Sequence, residues 1–134
     1  MIFCVHGGIP RPLENTTTTN IELINHIPTP YELTPTLQPN ESIELKQLVT
    51  DLLWADPAPG QQEDSLDANG FGVGERGPGA VCFGQKAVEE FIQNNDLSHI
   101  LRAHEPTASG VSVRKGAMVI TIFSTSKVSG LLVD

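Results

Sequence analysis

Residues 1–8 read Met1-Ile-Phe-Cys-Val-His6-Gly7-Gly8. The first five are apolar, with no turn or capping residue among them, and the run closes on a histidine and two glycines. A short apolar run bounded in this way reads as a strand buried in a mixed or parallel sheet. A chain that opens on a buried strand implies further polypeptide upstream. Residues 99–105, His99-Ile-Leu-Arg-Ala-His104-Glu105, have the same form. His6 and His104 therefore each end a predicted strand and open a loop. In an α/β sheet the carboxyl ends of the strands are where ligands bind, and paired glycines let a backbone pass close to a ligand or metal. Neutral imidazole is a common ligand of first-row divalent ions. A single histidine at a strand end more often serves the fold, so both readings stand on residue chemistry alone.

Working outward, residues 41–54 are the clearest helix. Leu45, Leu48, Val49 and Leu52 recur at helical spacing, with Asn40 as the expected N-cap. Ile21–Asn25 is expected to make a helical turn or two, ended by Pro28-Thr29-Pro30. The Thr16–Thr19 run reads as a flexible tip. Residues 57–79 read as one long polar loop. Ala80–Phe83 is a predicted strand, and Lys86–Asn94 a helix with Val88, Phe91 and Ile92 on one face. His99–Ala103 is a strand. Gly110–Lys115 and Ala117–Thr125 form a hairpin turning at Lys115-Gly116. The order is that of a mixed α/β fold.

The size fits one domain. The chain has 134 residues, 8 basic against 16 acidic side chains and a formal charge of −8. That balance argues against nucleic acid, which calls for clustered Lys and Arg, and against a polybasic membrane contact. No stretch approaches the ~18 apolar residues of a membrane span. Cys4 and Cys82 lie far apart in apolar runs and read as two buried, reduced thiols. No charged run precedes an apolar stretch at the start, and the expectation is an intracellular protein.

Gly72-Val-Gly74-Glu-Arg-Gly77 matches a dinucleotide-binding spacing, but a polar loop precedes it and a strand follows, where that site needs a strand and then a helix. Arg76 within it is either a solvated side chain or a guanidinium fork for phosphate oxygens. Asp56 follows Trp54 at the end of the predicted helix, where an acid opposes the helix dipole.

These residues, with Asp51-Leu-Leu-Trp54-Ala-Asp56-Pro, Glu75-Arg76-Gly, Phe83-Gly84, Arg102-Ala-His104-Glu and Val119-Ile-Thr-Ile-Phe-Ser124, follow one another in an order that resembles the C-terminal half of the PPP-family serine/threonine protein phosphatases, within the calcineurin-like metallophosphoesterases. The likeness runs from residue 1 to about 126. It implies half of a four-layer α/β/β/α sandwich with mixed sheets, residues 1–134 being a partial catalytic domain, with 12–20 and 57–79 as variable loops. The implied activity is hydrolysis of phosphoserine and phosphothreonine esters in proteins, by a water activated at a pair of divalent ions (Mn, or Fe with Zn). By that resemblance His6 and His104 are metal ligands, Arg76 holds the substrate phosphate and Asp56 belongs to an acidic wall beside the metals. The implied partners are phosphorylated proteins and regulatory subunits.

The departures are equally specific. The family's Gly-Asp-x-His-Gly, Gly-Asp-x-Val-Asp-Arg-Gly and Gly-Asn-His-Glu motifs, which supply the remaining ligands, do not occur in these residues. Val128 stands where the family has an active-site tyrosine. Two expectations follow. One is a portion of a working phosphatase, inactive by itself. The other is a non-catalytic relative that binds a phosphoprotein or a phosphatase subunit.

Overall fold

A computed structural model describes residues 1–125; the Val128 expectation lies outside the described residues. Seven strands among the described residues form two mixed sheets. The first holds β1 (Ile2–Val5), β5 (His99–Arg102), β6 (Val111–Arg114) and β7 (Val119–Ile122) in the order β1-β5-β7-β6. The second holds β2 (Asp56–Pro57), β3 (Phe71–Val73) and β4 (Val81–Phe83) in the order β2-β4-β3. β1 runs parallel to β5, and β5 parallel to β7, while β6 closes an antiparallel hairpin on β7. The helices are α1 (Ile43–Trp54) and α2 (Gln85–Asn94), with 3₁₀ turns at Ile21–His26 and Gly60–Ser65.

The core lies where the two sheets and α2 meet. Ile100 and Val119 come from the first sheet, Phe71, Val81 and Phe83 from the second, and Ala87, Val88 and Phe91 from α2. Phe83, Phe91, Ile100, Val88 and Val119 are all but inaccessible to solvent. Burying each such side chain contributes roughly 1.5–3 kcal/mol. Phe3 of β1 meets Phe91 edge to face, ring centres 5.2 Å apart.

β1 is not the fully buried strand its apolar run suggests. Its side chains alternate, Phe3 and Val5 half-buried and Ile2 and Cys4 exposed. The reason is that, among the described residues, only one face of the first sheet is covered. The opposite face carries Ile2 and Cys4, and the register Val111↔Ile122 places those two, with Val113, on it as well. Cys82 is buried as expected, but Cys4 is an exposed free thiol.

Helix α1 starts later than expected. Its N-cap is Ser42, whose hydroxyl accepts from Leu45 N at 3.0 Å; Asn40 adopts a left-handed backbone two residues earlier. The Thr16–Thr19 run is not a free tip. Thr19 is buried, its hydroxyl donates to Arg11 O at 2.7 Å, and Asn95 Nδ2 donates to Thr19 O at 3.0 Å. Residues 57–79 contain β3, which a Gly-rich polar sequence concealed. Gly72 sits within that strand, so the glycine motif runs from β3 into the connection that leads to β4.

Candidate active site

The parallel pairing of β1 with β5 brings their carboxyl ends side by side, with Val5 opposite Arg102. Ala103 N donates to His6 O at 3.1 Å and carries the pairing one step further. The two chains then leave the sheet together. His6 Nε2 comes to 3.1 Å from His104 Nδ1, the rings meeting edge to face with centres 4.8 Å apart. Which nitrogen carries the proton is a matter of tautomer. His104 adopts a left-handed backbone (φ 71°), which turns its ring back toward His6. The His104 ring also meets Trp54 edge to face, ring centres 5.3 Å apart.

The glycines after His6 serve this turn in an unexpected way. A Cβ on Gly7 would lie 2.5 Å from the Leu53 carbonyl carbon, and one on Gly8 would lie 2.2 Å from a ring carbon of Phe83. The close approach is to the end of α1 and to the core. Gly7 N also donates to Leu52 O at 2.8 Å.

Arg76, on the β3–β4 connection, reaches the same place. Its Nε donates to Asp56 Oδ2 at 2.7 Å and its Nη2 to His104 O at 3.1 Å. Of the five N–H bonds of a guanidinium, those on the Nη1 side have no partner among the described residues. Asp56 is fixed from its other oxygen, where Arg102 Nη2 donates to Oδ1 at 2.7 Å. All four singled-out residues, His6, Asp56, Arg76 and His104, therefore lie in one cluster.

The electrostatics suit neutral imidazole. Burial pushes the pKa of His104 down to about 4, the neighbouring Arg76 charge adds to this, and Asp56 opposes it. Its Nε2 is buried without a hydrogen-bond partner among the described residues. Two imidazole nitrogens 3.1 Å apart are close enough together to reach one ion at the ~2.0–2.1 Å of a typical Zn–N bond. The pair thus fits as two donors to a shared cation. No group of three or more His, Cys, Asp or Glu suited to hold a metal occurs among the described residues.

One residue at the centre of the cluster was not singled out from sequence. Arg102 is fully buried and donates to Gly7 O, Ala55 O, Asp56, Glu105 and Thr121. Its signal was legible. Alternation along His99–Arg102 puts it on the same face as the core residue Ile100, and a buried charge is found paired.

Residues 1–108 match the calcineurin-like phosphoesterase family, to which this chain belongs. Within it the chain is homologous to serine/threonine phosphatases. It is 35% identical over 130 residues to serine/threonine-protein phosphatase BSL2 of Arabidopsis thaliana, which covers 96% of this chain and 11% of that protein. A solved protein serine/threonine phosphatase from Saccharomyces cerevisiae, with similarity to human phosphatase PP5, superposes with a TM-score of 0.59 at 27% identity. The match covers 92% of this chain and 31% of that one. The chain thus spans a minor part of each relative. No helix among the described residues is long and apolar enough to cross a membrane.

Proposed function

We propose that residues 1–134 are part of the catalytic domain of an intracellular phosphoprotein phosphatase, the C-terminal half of a four-layer sandwich acting on phosphoserine and phosphothreonine esters. The supporting observation is the junction at His104: its ring meets the His6 ring at 3.1 Å while its carbonyl holds Arg76 at 3.1 Å. Cation and phosphate donors are thereby joined through one residue.

In this reading His6 Nε2 and His104 Nδ1 are two of the ligands of a divalent ion, of the Mn or Fe/Zn kind. Bound there, such an ion supplies Lewis-acid polarisation of the phosphoryl group and a lowered pKa for water. The chain's own residues do the rest of the binding. Arg76 is held along its Nε and Nη2 edge, so its remaining N–H bonds can grip two phosphate oxygens without a search over rotamers. Asp56, at the rim of the site, neutralises that guanidinium and keeps it in place. Depression of the His104 pKa keeps its ring free to donate a lone pair at neutral pH. Each ion in such a centre takes more donors than these two, so the remaining ligands come from residues outside this set, and regulatory subunits are the expected partners of the complete enzyme.

The test uses the chain itself. Co²⁺ titrated into it, held by two imidazoles with water in its other positions, is expected to develop weak visible d–d bands that grow only with excess metal, and these are lost in both His6→Ala and His104→Ala. Inorganic phosphate, followed by equilibrium dialysis, is expected to bind at least ~10-fold more weakly to Arg76→Ala, as loss of a bidentate charged contact implies. No phosphopeptide turnover is expected from the chain with Mn²⁺ added. Co²⁺ bands that survive both histidine variants, or phosphate binding indifferent to Arg76, overturn the reading.

The small donor set favours one second reading, a phosphoprotein-binding module without turnover. Phosphopeptide capture that requires Arg76 but neither histidine nor added metal would select it.

A further inference from the structure

The cluster has a hub that touches neither cation nor phosphate. We infer that Arg102 is a positioning residue that sets the Arg76 fork and both histidine turns through one buried guanidinium; this rests on Arg76 being the phosphate fork. The argument is geometric. Arg102 Nε donates to Gly7 O, directly after His6. Its Nη1 donates to Glu105, directly after His104, and to Thr121 Oγ1 of β7 at 3.3 Å. Its Nη2 donates to Ala55 O at 3.3 Å, at the end of α1, and to Asp56 Oδ1 at 2.7 Å. Asp56 Oδ2 then accepts from Arg76 Nε at 2.7 Å. The chain of contacts is guanidinium, carboxylate, guanidinium, and it runs from the core to the surface.

Each link is stiff for a physical reason. A guanidinium is planar, and one whose donors are all engaged has no rotamer to change. Asp56 is gripped through both oxygens by planar donors, which leaves its carboxylate plane no freedom. Arg102 is fully buried, so its ion pairs with Asp56 and Glu105 are little screened by solvent. Arg76 is half-exposed, and a long side chain at a rim would otherwise sample many rotamers. Lysine at position 102 keeps the charge but offers three rotatable N–H donors on a single nitrogen, where five fixed ones spread over three nitrogens are in use. It cannot hold Gly7, Ala55 and Asp56 together.

The test reads Arg76 while changing Arg102. In ¹H–¹⁵N spectra of the arginine Nε–H groups, the Arg76 signal of the unaltered chain is expected to be visible at neutral pH and slow to exchange with water. In Arg102→Lys its exchange is expected to speed up about tenfold or more, the factor that follows the loss of an anchoring ion pair worth a few RT. Backbone amides of β4 and α2 are expected to keep their positions. Inorganic phosphate affinity is expected to fall about fivefold in Arg102→Lys and in Asp56→Asn, with the double variant no weaker than either, since members of one network are not additive. An Arg76 signal unchanged in Arg102→Lys, or additive losses in the double variant, overturns the inference. Should Arg102→Lys fail to fold, Asp56→Asn decides. There Arg102 Nε–H must stay protected at Gly7 O while Arg76 Nε–H loses protection, and protection of Arg76 in that variant overturns the relay. An Arg76→Ala chain that binds phosphate normally removes the phosphate reading but leaves the exchange measurement intact, so the two failures are told apart.

Discussion

His6 Nε2 and His104 Nδ1 stand 3.1 Å apart although 98 positions separate them in the chain. Two parallel neighbouring strands that end at the same level deliver them to the same point. The pairing has a measurable consequence in acid.

The His104 pKa lies near 4, chiefly through burial, whereas an unfolded histidine titrates near ~6.5. Between those values the unfolded chain binds more protons than the folded one. Stability is therefore full above about pH 6.5 and is lost as pH falls toward 4. The only tryptophan in the chain, Trp54, contacts the His104 ring and reports on it, because a protonated imidazole quenches indole emission. Trp54 fluorescence is expected to stay flat from pH 7.5 to 5 and to fall only as pH approaches 4. A quenching midpoint between pH 6 and 7 would show that His104 titrates as a surface residue.

Gly7 and Gly8 tie the His6 turn to the end of α1. Alanine at Gly7 places a Cβ within 2.7 Å of three backbone atoms of Leu53 and Trp54, and backbone cannot give way as a side-chain tip can. Gly7→Ala is expected to cost about 1–3 kcal/mol, the range of overpacking. It is also expected to move the His6 ring away from His104. Urea unfolding measures the first effect, and the Co²⁺ titration, with weakened binding, the second.

Arg11 and Asp51 lock the 7–13 segment onto α1. Arg11 donates to the Asp51 carboxylate three times, from its backbone N, Nε and Nη2, each at 2.9 Å, and the Asp51 side chain is wholly buried. Arg11→Ala removes the guanidinium and leaves the buried carboxylate only the backbone N–H donor; removing one partner of a fully buried pair costs about 3–5 kcal/mol, and the partly exposed Arg11 is expected to fall at or below the lower end of that range. Asp51→Asn, which leaves an amide that still accepts from Arg11, is expected to lose less. Equal losses in chemical denaturation would contradict this account of the pair.

Tyr31 is the only tyrosine in the chain. Burial raises its pKa to about 12, helped by Glu41, whose carboxylate accepts from the phenol. The Gln38 backbone N–H and then the phenol hold the Glu41 carboxyl below its usual range. Absorbance at 295 nm is expected to titrate near pH 12 in the folded chain and near ~10 in urea. Because the folded form keeps its proton longer, stability contributed by Tyr31 falls as pH rises from about 10 to 12. Tyr31→Phe is expected to abolish that slope. A folded-state midpoint near 10 would mean that the phenol is not held.

The sequence by itself determined the elements whose signal is local. Helical spacing of Leu45, Leu48, Val49 and Leu52 located α1 within two residues, and apolar runs located β1, β4 and β5. The order of the His-Gly-Gly, Asp-Pro, Glu-Arg-Gly and Ala-His-Glu segments was legible as family membership. β3 was missed because Phe71-Gly-Val earns its strand from pairing with β4, which has no trace in three residues of sequence. The exposure of Cys4 and Ile2 was missed for a related reason, since an apolar run states that a strand has affinity for a core and not which of its faces is covered. Proximity was decided only by the tertiary structure. Parallel register set His6 beside His104, the β3–β4 hairpin carried Arg76 back to Asp56, and a buried Arg102 joined those parts through five partners, four of them on segments remote in sequence. Side-chain chemistry is a property of each residue, but a site is a set of distances, and distances between remote residues arise only when the strands that carry them pack.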